Sequence, residues 1–276
     1  MIIWLASYPK SGNTWVRSFL SAYYFTEDGS FEFDLLENFK KFPSEDFIKH
    51  RLDDPGEIIK FWKPVQEQIL KNKDITFLKT HNCLMSINGH KFTTTRFTKG
   101  VIYIVRDPRN VLTSFSYHTD TSYNEALEFM MKEDTILYNK KTENYNSVDF
   151  ISSWSNHYKT WLSNNPFKKI VIKYENLLID GENEFKKLIK FINLLTGLEK
   201  NINDNKFEKA LETTSFLNLQ KKEKDGKFHE NVFSNSNKKL NFFNLGKNNN
   251  WRNILPTDIK EKSNKVFLDD IKYFKY

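Results

Sequence analysis

The sequence predicts an α/β fold built on a central parallel sheet. Four short apolar runs each end in polar residues, helical patterns separate them, and one glycine turn joins the first run directly to the first helix. Parallel neighbours need long crossover connections, which the helical patterns supply. With 276 residues the chain can bury one large core, so a single domain over 1–276 is expected.

The first strand is expected over Ile2 to Ser7, because Ile2-Ile3-Trp4-Leu5-Ala6 is the continuous apolar run of a strand buried on both faces. Pro9 then holds Tyr8 extended, Gly12 frees the turn, and Trp15, Phe19 and Tyr23 recur at helical spacing. This arrangement puts the N–H groups of Gly12, Asn13 and Thr14 at a helix N-terminus, aimed at one anion. Lys10 adds a full charge, and Ser11 and Thr14 add hydroxyl donors. An ordinary strand–helix turn is the plainer reading of the same residues. The G-x-x-x-x-G-K-[ST] phosphate loop is excluded by inspection, since the Gly-Lys pairs are Gly226-Lys227 and Gly246-Lys247, followed by Phe228 and Asn248.

Residues 31–73 mix Phe, Asp, Glu and Lys around Pro43, Pro55 and Pro64, which predicts short helices and loops forming a lid or acceptor-binding segment. The second strand is expected over Ile75 to Lys79, the third over Val101 to Arg106 and the fourth over Lys169 to Tyr174. Ligands of an open parallel sheet lie beyond the carboxyl ends of its strands, so Lys10, His81, Arg106 and Tyr174 are placed at one edge. His81 leaves a strand end beside Lys79, unlike His50, His90, His118, His157 and His229, which take the default structural reading. After the third strand, Pro108 suits a first helical turn and puts Ser114 about two turns further on, so Arg106 and Ser114 can converge on one phosphate. The plainer reading pairs Arg106 with Asp107. Val148, Ile151, Trp154, Tyr158 and Trp161 predict a helix before the fourth strand, Lys221 to Lys239 a mobile loop, and Thr257 to about Phe274 the last helix.

Composition narrows the function. Nothing in the chain approaches ~18 uninterrupted apolar residues, so no transmembrane helix is expected, and Met1-Ile2-Ile3-Trp4-Leu5 is too short and lacks the basic leader of a signal peptide. Cys83 is the only cysteine, which rules out disulfides and cysteine metal sites within the chain and suits a reducing cytoplasm. The formal charge of +7 fits a polyanionic cofactor or an acidic acceptor, and equally fits a chain rich in Lys and Asn throughout. No nucleic-acid partner, internal repeat or dimer motif is apparent.

Tyr8-Pro9-Lys10-Ser11-Gly12-Asn13-Thr14-Trp15 resembles the 5′-phosphosulfate loop of the sulfotransferases that use 3′-phosphoadenosine 5′-phosphosulfate (PAPS). Lys79-Thr80-His81 is similar to that family's catalytic segment, and Arg106-x-Pro108 with Ser114 to its 3′-phosphate site. Tyr174-Glu175-Asn176 is similar to its Tyr-Glu-Asp segment, and Thr214-Ser215-Phe216 to its Thr-Ser-Phe segment, both by the adenine. Gly246-Lys247-Asn248-Asn249-Asn250-Trp251 keeps the spacing of its last motif. Asn244 and Leu245 stand where the family has Arg and Lys, and Asn249 replaces its second glycine.

The resemblance implies a three-layer αβα fold related to the nucleotide kinases and PAPS as sulfate donor, without a metal. It implies His81 as the base, Lys10 as the cation on the bridging oxygen and Lys79 as its assistant. It further implies a nucleotide site made of Lys10, Ser11, Gly12, Asn13, Thr14, Trp15, Arg106, Ser114, Tyr174, Thr214, Phe216, Gly246 and Lys247. With the Arg-Lys pair missing, Arg106 and either Lys247 or Arg252 are left for the 3′-phosphate. The acceptor is a small molecule, lipid or glycan. A kinase of the same fold and a nucleotide-binding homologue without catalysis stay open as alternatives.

Overall fold

Alternation of side chains along the strands decides the layering. The computed structural model describes residues 1–71, 73–139, 144–198, 201–226, 228, 232–233 and 239–276. Its main sheet is made of β1 (Ile2–Ser7), β2 (Phe39–Lys41), β3 (Thr76–Thr80), β4 (Thr98–Val105) and β5 (Lys169–Lys173), all parallel, in the order β2-β3-β1-β4-β5. Ile3, Leu5, Phe77, Ile102 and Ile104 point into one core, whereas Trp4, Ala6, Leu78, Val101 and Tyr103 point into the other. Strands apolar on both faces must be covered twice, and helices do this on each side.

The helices are α1 (Asn13–Phe25), α2 (Trp62–Leu70), α3 (Pro108–Thr119), α4 (Tyr123–Met131), α5 (Trp154–Leu162), α6 (Tyr174–Thr196), α7 (Asp204–Thr213), α8 (Phe216–Lys224), α9 (Trp251–Ile254), α10 (Thr257–Val266) and α11 (Leu268–Phe274). Residues of α1, α6, α7 and α8 fill the first core; residues of α2 to α5 and α9 to α11 fill the second. The result is the three-layer α/β architecture anticipated from the sequence.

Four local expectations are corrected. The segment 31–73 holds more than short helices and loops, because Phe39–Lys41 pairs with β3 as an edge strand. Asn144–Phe150 is a strand pairing antiparallel with Ile136–Asn139, so the helix expected from Val148 begins only at Trp154, after Ser152 at φ 57°. The loop expected over 221–239 starts later, since α8 runs to Lys224. Within it Val232–Phe233 pairs with Lys239–Leu240, and 227, 229–231 and 234–238 lie outside the described residues. The last helix divides at Phe267 into α10 and α11.

Candidate functional site

β1, β3, β4 and β5 all end at one side of the sheet, and a cleft of about 890 Å³ opens there. Lys10, Gly12, Asn13, Thr14, Trp15, Lys79, His81, Arg106, Ser114, Tyr174, Phe216 and Gly246 line it. The structure therefore brings together twelve residues that the sequence scatters over more than 230 positions. Ser11, Thr214 and Lys247 are not among the lining residues. Thr214 is buried and donates its hydroxyl to the Ala210 carbonyl at 2.6 Å, ending α7, while Lys247 is exposed on the turn Gly246–Asn248. Arg252, also exposed, stacks 4.5 Å over Trp251.

The turn from β1 into α1 has the shape of an anion cradle. Gly12 sits at φ 101° as the cap of α1, and a Cβ there would stand 2.5 Å from the Tyr174 ring, so both conformation and space require glycine. Arg106 crosses from the end of β4, donates to the Lys10 carbonyl at 3.0 Å and lies 4.2 Å over the Tyr174 ring. It is Arg109, and not Arg106, that pairs with Asp107, through bonds of 2.9 and 2.7 Å. Ser11 Oγ and Arg106 Nε are buried and have no hydrogen-bond partner among the described residues. Unsatisfied buried donors of this kind fit the oxygens of bound anions.

His81 is held at the exit of β3. Its Nδ1 lies 2.7 Å from the Ser7 carbonyl, which fixes the tautomer with the proton on Nδ1 and leaves Nε2 with a lone pair. Burial first, and then the Lys79 charge, hold this imidazole well below its usual range, so it is neutral at physiological pH. Register places Lys41 of β2 beside Lys79 of β3, and both line the cleft. Lys41 is ion-paired with the buried Asp149 at 2.9 Å and donates to the Ser147 carbonyl at 2.9 Å.

The far wall comes from α3 and the segment 242–249. Lys10, at φ 65°, donates to His118 Nδ1 at 3.2 Å and stands 4.1 Å over the Phe242 ring. Glu223 of α8 accepts from the backbone N–H of Phe242 at 2.5 Å and of Phe243 at 2.9 Å. Asn244 and Leu245, at the positions without the Arg-Lys pair, line the cleft. Asn249 accepts from Thr113 Oγ1 at 2.7 Å and donates to the Asn110 carbonyl at 3.0 Å, tying this wall to α3. Gly246 at φ 54° lets the chain pass the Phe216 ring, which a Cβ would meet at 2.6 Å.

Sequence reasoning took His118 as structural and did not single out Lys41, Tyr117, Tyr123 or Tyr138, although Lys41 falls in the expected acceptor segment 31–73; all five line the cleft. His118 lies four residues beyond Ser114 on the same helix, a spacing that puts the two on one face and was the available signal. Among the described residues no group of three or more His, Cys, Asp or Glu is arranged to hold a metal ion, and no helix is long and apolar enough to cross a membrane.

The chain is similar to known proteins over nearly its whole length. The sulfotransferase domain family matches residues 2–275. Sulfotransferase 1B1 of Canis lupus familiaris is 24% identical over 97% of this chain and 82% of its own length. Cytosolic sulfotransferase 7 of Arabidopsis thaliana is 24% identical over 78% of this chain, and the match spans 63% of that protein, less than two thirds of it. The crystal structure of mouse sulfotransferase SULT7A1 complexed with PAP superimposes with a TM-score of 0.60 at 19% identity, covering 98% of this chain and 84% of the other.

Proposed function

Because the chain belongs to the sulfotransferase domain family, we propose that it moves the sulfuryl group of PAPS to a hydroxyl or amine of a small-molecule acceptor, releasing 3′-phosphoadenosine 5′-phosphate. The observation that carries this reading is the state of His81: a neutral imidazole, with Nδ1–H spent on Ser7 and Nε2 free to take a proton, in one cleft with Lys10 and Lys79.

PAPS, when bound, supplies an activated sulfuryl group; the chain supplies position, charge and a base. Gly12, Asn13 and Thr14 offer the α1 N-terminus to the 5′-phosphate. Arg106, with a buried and unsatisfied Nε, and Ser114 hold the 3′-phosphate. Trp15, Tyr174 and Phe216 enclose the base. Gly246 supports that site by letting its loop pass close to Phe216. As the acceptor oxygen or nitrogen bonds to sulfur and the bond from sulfur to the bridging oxygen breaks, His81 Nε2 takes the acceptor's proton. Lys10, assisted by Lys79, neutralises the bridging oxygen.

Lys41, Tyr117, Tyr123 and Tyr138 line the cleft without a part in the donor site, which leaves them, and with Lys41 part of the segment 31–73, for the acceptor. The name of one relative, cytosolic sulfotransferase 7, favours a cytoplasmic setting. The test is His81→Ala, which is expected to fold, to bind 3′-phosphoadenosine 5′-phosphate as the unaltered chain does, and to lose on the order of 10²–10⁴ in transfer from labelled PAPS. Near-normal transfer in that variant removes His81 from the mechanism.

A further inference from the structure

The turn that presents His81 is fastened from α5. His157 Nε2 lies 3.0 Å from the His81 carbonyl, and one helical turn later Trp161 Nε1 donates to the Asn82 carbonyl at 2.8 Å. Two consecutive carbonyls beyond β3 are thus held by side chains four residues apart on one helix face. His157 is itself oriented, because Tyr103 Oη lies 2.8 Å from its Nδ1. His157 is completely buried, and burial lowers its pKa to about 3, so at neutral pH the ring carries one proton. The His81 carbonyl can only accept, so the one ring proton sits on Nε2 and is donated to it; Nδ1 is left with a lone pair, to which Tyr103 O–H donates. The remaining side of the turn is closed by Asn82, whose Oδ1 accepts from Phe150 N–H at 2.8 Å and whose Nδ2 donates to Asp149 at 2.8 Å.

We propose that His157, oriented by Tyr103, is a positioning residue for the base: by holding the His81 carbonyl it keeps the His81 ring in register with the Ser7 carbonyl, and so keeps Nε2 as the basic nitrogen. The chain of donors runs Tyr103 to His157 to the His81 backbone, and separately His81 Nδ1–H to Ser7. Neither His157 nor Tyr103 is among the cleft-lining residues, so neither acts on substrate directly. A satisfied core histidine would make the same two bonds, but it would leave the tautomer of a neighbouring ring indifferent to its removal. This inference rests on the proposed role of His81.

The experiment uses the full chain with nitrogen-15-labelled histidine, so that NMR reads the His81 tautomer directly, together with release of 3′-phosphoadenosine 5′-phosphate from PAPS with water as the acceptor. Tyr103→Phe keeps the ring volume and removes only the donor to His157, and His157→Gln keeps a donor for the His81 carbonyl and an acceptor for Tyr103. Tyr103→Phe and His157→Leu are expected to increase the His81 population protonated on Nε2 and to slow PAPS cleavage about tenfold, with nucleotide affinity unchanged; His157→Gln should recover most of the rate. An unchanged tautomer and rate in folded Tyr103→Phe overturn the proposal, and this variant decides the matter if His157→Leu does not fold. If His81→Ala itself cleaves PAPS at the unaltered rate, the assignment of the base fails instead, whatever His157 does.

Discussion

At the scale of single residues, the proposed site has its protons and charges fixed before a substrate arrives. Lys10 is held by His118 and the Phe242 ring, so its ammonium is already inside the cleft, desolvated on one side. Charge on the bridging oxygen grows mainly in the transition state, so Lys10→Ala should lower the transfer rate at saturating PAPS by a larger factor than it weakens binding of 3′-phosphoadenosine 5′-phosphate. Steady-state rates set beside calorimetric affinities check this; loss of affinity with an intact rate would make Lys10 a binding residue only. His157 gives a second expectation, about stability. Its folded pKa of about 3 lies below the unfolded value of about 6.5, so between those values the unfolded chain binds a proton that the folded chain refuses. Stability therefore falls as pH falls, by about 2 kcal/mol between pH 7 and pH 5 for this one group. Urea unfolding at the two pH values should show a shallower dependence in His157→Gln, and identical slopes would contradict the burial argument.

At the scale of elements, the close crossing of the α1 cap and the Tyr174 ring is the most sensitive joint. Gly12→Ala meets both a left-handed backbone at φ 101° and a Cβ 2.5 Å from that ring, so either Tyr174 or the cradle must move. The expected cost is about 1–3 kcal/mol in stability, with weaker nucleotide binding on top, read by urea unfolding and calorimetry. An unchanged stability would mean that the ring yields freely. The elements also differ in how far the sequence announced them. β1, β3, β4 and β5 are written as apolar runs with polar ends, and a strand buried on both faces can hardly be written otherwise. β2 has only Phe39, Lys40 and Lys41, an edge strand whose two lysines look like surface, and its pairing with β3 is a contact across 38 residues that no local pattern encodes. Val148 and Ile151 are both buried, and a spacing of three suits a helix as well as a strand followed by a bend; the positive φ at Ser152 is what separates them. In the same way His81 and Lys10 were legible because each adjoins a strand end, whereas Lys41 and His118 enter the site only through tertiary packing.

At the scale of the whole molecule, nucleotide binding should register as global stabilisation, since a ligand that binds only the folded chain adds about 2.7 kcal/mol at one hundred times its dissociation constant. If Arg106 reads the 3′-phosphate, 3′-phosphoadenosine 5′-phosphate should raise the melting temperature more than adenosine 5′-phosphate does at equal concentration. The difference should shrink in Arg106→Ala, with more than a tenfold loss of affinity, and persist in Lys247→Ala, whose exposed ammonium is screened. Equal shifts for both nucleotides in the unaltered chain would mean that the 3′-phosphate is not read.

The strand order has a consequence for how such a chain diversifies. β2 and β3 lie on one flank of β1, and β4 and β5 lie on the other. Under the proposed roles, the flank of Lys41, Lys79 and His81 meets the acceptor, the flank of Arg106 and Tyr174 meets the donor, and the Lys10 turn stands at the seam. The outermost acceptor-side strand is three residues long and bonded to the sheet along one edge only, so it can be rewritten while the ladders that hold the donor flank stay intact. The exchangeable strand thus lies at the rim of the sheet away from the donor flank, which lets new acceptors be tried without relearning the donor.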